Sequence, residues 1–125
     1  MPHMTPRPTT AQVLLTVSEP TRLRILNCLA AAPLFVSDLQ AVLKLPQPTV
    51  SRHLKVLREA EVVRDTPVAQ YVLYRIQRTG DIPGRLLTEI LDGLAHEESF
   101  RVERQRAGER SRNHPRMRVL EPAHD

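Results

Sequence analysis

At 125 residues the chain has room for one domain built on one hydrophobic core and is too short for a second domain of ordinary size. Two Phe, two Tyr and no Trp leave that core to Leu, Val, Ile and Ala, a set that favours packed helices over a sandwich of strands. The net charge of +4 and the single cysteine suit a polyanionic partner and exclude an internal disulfide framework. No run approaches the roughly 20 apolar residues of a membrane span, so a cytoplasmic protein without membrane contact is expected.

Residues 1–8 hold three Pro and almost nothing to bury, which predicts a disordered arm. A first helix opens at Thr9 or Thr10, repeats its apolar residues as Val13, Leu14 and Val17, and stops at Ser18, Glu19 and Pro20. A second, over 20–31, lines up Leu23, Leu26 and Leu29 with Ile25 and Cys28 alongside, and Pro33 ends it. Within that face Cys28 reads as a small buried hydrophobe. The alternative is a redox or thiophilic-ligand sensor acting between protomers.

Ser37 followed by Gln40 has capping-box spacing and predicts a third helix over 38–43. Lys44, Leu45 and Pro46 interrupt it, and Val50, Leu54 and Leu57 then recur at i, i+4, i+7 in a fourth helix ending near Ala60. Residues 62–65 and 70–76 predict a hairpin around a 66–69 loop. A last helix carries Leu86, Leu87, Ile90, Leu91 and Leu94 and is expected to run past Phe100 to about Gln105. Its apolar stripe is wider than one small domain needs.

The positive excess sits at the C-terminus. Residues 1–100 hold 11 basic and 10 acidic side chains, whereas 101–118 hold seven Arg against Glu103 and Glu109. Residues 107–125 lack apolar periodicity and are expected to be a disordered Arg-rich tail.

On the fourth helix, the face opposite the stripe carries Gln47, Ser51, Arg52, Lys55 and Arg58, with Thr49 and His53 at its flanks. A major groove admits one helix. Two helices across a tight turn, the second packed by one face and hydrogen-bonding along the other, meet that requirement. The expected architecture is mainly α with a small β-hairpin wing: a winged helix-turn-helix of four helices, two strands and a fifth helix. It would occupy 9–106, with the helix pair at 37–60 and the wing at 61–76, and its partner would be double-stranded DNA. A protein-interaction module on the same scaffold is the competing reading. No nucleophile with a paired base and no phosphate-cradling loop suggests an enzyme, and no cofactor is expected.

The strings SEPTRLRILNCL, VSDLQAVLKLPQPTVSRHLKVLREAEVVRD and YVLYRI together resemble the ArsR/SmtB family of winged-helix repressors over about residues 10–105. The resemblance implies a homodimer through the first and last helices, acting as a repressor on an inverted-repeat operator. It places Gln47, Thr49, Ser51, Arg52, His53 and Lys55 on the DNA, with Arg58 on a phosphate.

Several positions depart from the family pattern. Phe35 and Ser37 stand where metal-sensing relatives carry thiolates on the third helix, and neither is a soft-metal ligand. Of a second family site, for zinc or nickel, only Asp92 and His96 remain. Arg104, Gln105 and Arg106 occupy the region of the partner ligands, so these two read as a surface pair. The five His are too scattered to suggest a cluster, and no metal or small-molecule inducer is identified. Residues 66–70 give the wing tip no positive charge, leaving Arg64 and Arg75 at the strand bases, or the Arg-rich tail, to meet phosphates. Lys44 and Glu61 replace glycines common at those turns, so strained backbone is expected at both.

Overall fold

The structure, a computed structural model, describes residues 6–114. Expectations for residues 1–5 of the arm and 115–125 of the tail lie outside the described residues.

Helix α1 (Thr10–Val17) opens on a capping box: the Gln12 N–H donates to Thr9 Oγ1 at 3.1 Å and the Thr9 N–H to Gln12 Oε1 at 2.7 Å. Helix α2 (Pro20–Ala31) follows at once. Its Glu19 carboxylate accepts the Arg22 N–H at 2.9 Å, and Pro20 fills a first-turn position where no donor is needed. Ile25, Leu26, Asn27, Cys28 and Leu29 are all buried, which makes α2 the centre of the core. A strand β1 (Leu34–Phe35) leads into α3 (Val36–Leu43) and α4 (Gln47–Glu59), then β2 (Val63–Val68), β3 (Tyr71–Ile76), α5 (Ile82–Leu94) and α6 (Glu98–Asn113). The three strands form one antiparallel sheet in the order β1-β3-β2.

The winged helix-turn-helix is present, with five differences from the sequence expectation. First, Ser37 does not cap the third helix. Helix α3 begins at Val36, and the Asp38 carboxylate reaches back to the Phe35 N–H at 2.9 Å, so a buried acid one residue later holds the turn. Second, the hairpin is longer and tighter: β2 continues through Thr66, Pro67 and Val68, leaving only Ala69 and Gln70 as the turn, with Ala69 at φ 55°. Third, two-residue β1, invisible to periodicity, pairs Phe35 with Leu73.

Fourth, the last helix is two. The chain turns at 95–97 and restarts as α6, because Asn27 and Glu103 draw the second piece across α2. In the last turn of α5 the Leu91 carbonyl accepts the Ala95 N–H at 3.2 Å and also Arg104 Nη2 at 2.8 Å, so an α6 side chain ties the end of α5. Fifth, residues 107–113 are helical, with Ala107 and Ser111 buried, and Arg7 of the arm lies 3.5 Å from Asp81 at the start of α5. Neither segment needed apolar periodicity to be placed, since charged groups do the anchoring.

Along the sheet, Val63 and Ile76 face the helical core while the paired Arg64 and Arg75 project from the other side. Leu26, Leu34, Leu39, Leu54 and Leu57 are inaccessible to solvent, each contributing about 1.5–3 kcal/mol of transfer free energy. The backbone at Lys44 (φ 58°) and Glu61 (φ 61°) is left-handed, as their replacement of glycine suggests. At Gly84, in the first turn of α5, an added Cβ would collide with the Thr79 backbone, so the close passage of that loop requires glycine.

Candidate nucleic-acid interface

Helix α4 divides cleanly. Val50, Leu54 and Leu57 are fully buried and clamp the helix to the core, so its outward residues have a fixed orientation. Gln47, Arg52, Lys55 and Arg58 are exposed, while Thr49, Ser51 and His53 are half-buried at the edges. Among the described residues Arg52 and Lys55 make no side-chain hydrogen bond or ion pair with the rest of the chain. Gln47 Nε2 donates to Ser51 Oγ at 2.6 Å, one turn along, which orders the N-terminal end of this face.

Two residues of the expected set are committed elsewhere. His53 turns toward the start of α2, its Nδ1 lying 3.7 Å from Glu19 Oε2 and 3.4 Å from Arg22 Nη1. Burial opposes ionisation of Glu19, but the N–H groups of Arg22 and Thr21, and His53 and Arg22 nearby, still bring its carboxyl below the usual value. Arg58 pairs with Asp65 of β2 at 3.1 Å and so ties the reading helix to the wing. Burial, and next the Asp65 charge, raise the Tyr74 phenol.

Asp65 and Tyr74 share the sheet face that meets α4, which puts the adjacent pair, Arg64 and Arg75, on the opposite face. Among the described residues Arg75 Nε is buried without a hydrogen-bond partner. Between α3, α4 and β3 lies a cleft of ≈ 410 Å³, lined by Gln40, Gln47, Ser51, Gln70, Tyr71 and Tyr74 among others. Gln40, Gln70 and the two tyrosines were missed by sequence reasoning, since only the meeting of β3 with the helix pair brings them there. Their one sequence signal is the polar tip of each tyrosine.

The sensing candidates lie apart from this face. Cys28 is fully buried, and burial, followed by the nearby Glu103 charge, pushes its thiol up to about 12; a protonated, inaccessible sulfur is a poor nucleophile and ligand. Asp92 and His96 are both exposed, and α5 ends at Leu94, between them. Among the described residues no group of three or more His, Cys, Asp or Glu is placed to hold a metal ion. No helix among them is long and apolar enough to cross a membrane.

A second surface is apolar. Leu14 and Leu15 of α1 and Ile82 and Leu86 of α5 are exposed, Leu15 at 72% and Ile82 at 58%, and a shallow groove between the two helices is lined by Leu14, Val17, Pro83, Leu86 and Ile90.

Comparison with known proteins agrees with this architecture. Residues 19–65, which span α2 to the start of β2, match the arsR family of bacterial regulatory proteins. The transcriptional repressor SdpR of Bacillus subtilis is 31% identical over 67 residues, 54% of this chain and 74% of that protein. The biofilm growth-associated repressor of Agrobacterium fabrum is 39% identical over 77 residues, 61% of this chain and 66% of that protein. The crystal structure of the transcriptional repressor BigR from Xylella fastidiosa superposes with a TM-score of 0.61 at 28% identity, covering 70% of this chain and 85% of that one. Across the curated relatives it matches, the chain spans from 50% to 75% of their length.

Proposed function

Because the chain belongs to the arsR family of bacterial regulatory proteins, we propose that it is a transcriptional repressor that binds double-stranded DNA as a homodimer, at an inverted repeat. The observation that carries this reading is the outward face of α4: uncommitted Arg52 and Lys55, with the linked pair Gln47 and Ser51, on a helix immobilised by Val50, Leu54 and Leu57. Bases are read by Gln47, Ser51 and Arg52, because they lie in the N-terminal half of the helix, with Thr49 beside them. Lys55 meets a phosphate. Arg58 contributes less than its charge suggests, being paired with Asp65, and His53 serves to seat α4 on α2. Arg64 and Arg75 belong outside the reading face.

Leu14, Leu15, Ile82 and Leu86 supply the dimer contact, since all four are exposed apolar side chains of α1 and α5 and Leu14 and Leu86 line one groove. Two-fold symmetry would then place the two α4 helices about one turn of DNA apart. No metal or thiol response is included, because Phe35 and Ser37 are not soft-metal ligands and Cys28 is buried.

Selection of bound fragments from a random DNA pool tests the reading: the bound sequences should converge on an inverted repeat, and Arg52→Ala should lose most of that affinity. Wild-type protein that enriches no sequence, or Arg52→Ala that binds as tightly, overturns it. Leu86→Glu should yield monomers in sedimentation velocity; an unchanged dimer would move the interface elsewhere.

A further inference from the structure

We infer that Asp38, Arg110 and His114 form a positioning centre that sets the helix pair and the wing at a fixed angle, making the last turn of α6 part of the DNA-reading apparatus although no residue of α6 lies on its face. This role rests on the repressor reading above. The Asp38 side chain is completely buried in the first turn of α3. Its Oδ2 accepts the Phe35 N–H at 2.9 Å, while its Oδ1 accepts Arg110 Nε at 2.9 Å and lies 3.1 Å from His114 Nε2.

Phe35 is a β1 residue paired with Leu73 of β3. One carboxylate therefore joins three elements: α3, the sheet that carries the wing, and the C-terminal turn of α6. Ring contacts extend the connection. His114 lies over Phe35 with centroids 5.4 Å apart, and Phe35 meets Tyr71 of β3 edge-on at 6.2 Å. Tyr71 in turn borders the cleft whose other wall carries Gln47 and Ser51, so the packed contacts run from α6 to the side of β3 that faces the reading helix.

The chemistry chosen is informative. Apolar side chains would hold α6 on α3 without the desolvation cost of a buried carboxylate, and replacing buried ion pairs by such residues often stabilises a protein. Apolar contact, however, lets two elements slide or rotate by small amounts. Three polar groups directed at one carboxylate do not, because each bond is angular as well as short. Orientation is what this arrangement supplies.

The test compares wild type with Arg110→Ala, Arg110→Lys and His114→Ala in the full chain, using a DNA fragment selected by wild type. Anisotropy titration gives affinity, and amide exchange of the DNA-free protein maps local opening. Arg110→Ala should bind roughly tenfold more weakly and His114→Ala about threefold more weakly, with faster exchange in β1, the first turn of α3 and the facing part of β3, and unchanged protection in α2. Arg110→Lys should recover part of the lost affinity. If wild type binds and Arg110→Ala binds within about twofold of it, the positioning role is wrong; equal acceleration of exchange throughout α2 would make the network a folding contact only. If wild type itself selects no DNA, the repressor reading fails first and this role falls with it.

Discussion

On α4 the guanidinium of Arg52 and the ammonium of Lys55 stand in solvent without an intramolecular partner among the described residues, whereas Arg104 and Arg110 of α6, and Arg24 facing that helix, are spent inside the molecule. Arg104 donates to Asn27 Oδ1 at 3.0 Å and to the Leu91 carbonyl at 2.8 Å; Arg110 reaches Asp38; Arg24 grips Glu103 of α6 through Nε at 3.0 Å and Nη2 at 2.6 Å. The titration directions follow. The Glu103 hydrogen bond raises Arg24, and burial lowers Arg104, which has neutral acceptors in its direct hydrogen bonds. A count of arginines thus says little about which are available to a nucleic acid. What decides is whether each already has a partner.

The sharpest way to break this contrast is to remove one charge from each region. Arg104→Ala deletes two charge-assisted hydrogen bonds and leaves the buried Asn27 amide oxygen without that donor, so urea unfolding should report a loss of about 2–4 kcal/mol. Next comes Arg52→Ala, which should cost about 1–3 kcal/mol of DNA binding while leaving stability within about 0.5 kcal/mol of wild type. If Arg52→Ala unfolds the protein and Arg104→Ala affects only DNA affinity, the two assignments are reversed. Lys55→Ala should lower the slope of log affinity against log salt by about one unit with no sequence preference lost; an unchanged slope would remove Lys55 from the phosphate contacts.

Smaller effects refine the picture. Arg58 and Asp65 are both substantially exposed, so Asp65→Ala should change stability by no more than about 1 kcal/mol, while freeing Arg58 for a phosphate. A tighter, more salt-dependent complex in Asp65→Ala would show that the wing restrains this arginine, and an unchanged one that it does not. Cys28 provides a pH test with a defined sign. Its folded-state value, about 12, lies above the ordinary thiol value of 9.0, so its contribution to stability is intact below about pH 9 and is lost as pH rises toward 12. Wild type should therefore lose stability relative to Cys28→Ala across that window in paired unfolding curves. Equal decline of the two proteins would mean that the thiol is solvated. Finally, Lys44→Gly relieves a left-handed backbone and should raise stability by about 0.5–1 kcal/mol.

Much of the fold was legible from local pattern. The stripe Val50, Leu54 and Leu57 gave α4 its orientation, Glu19 and Pro20 marked the start of α2, and the glycine positions taken by Lys44 and Glu61 pointed to strained turns. The start of α3 was misread because Ser37 and Gln40 match a capping box as well as any pair does, and the competing carboxylate of Asp38 wins through burial beside Arg110 and His114. Residue pattern could not reveal β1 either, since two residues carry no period. For the reading face, residue identity was legible but availability was not: His53 and Arg58 look as free in the sequence as Arg52, and only the sheet register puts Arg64 and Arg75 on the far face.

The sequence by itself determined the helix faces, the hairpin and the family resemblance, because amphipathic period, caps and turn residues act between neighbours a few positions apart. Tertiary structure alone decided where the C-terminal arginines go. Arg24 meets Glu103 across 79 positions, Arg104 meets Asn27 across 77 and Arg110 meets Asp38 across 72. Pairings at such separations leave no periodic trace, since they depend on how α6 lies over α2 and α3. That placement turned residues 107–113, the first part of an expected basic tail, into helix held against the core, while Arg52 and Lys55 of α4 keep no partner among the described residues.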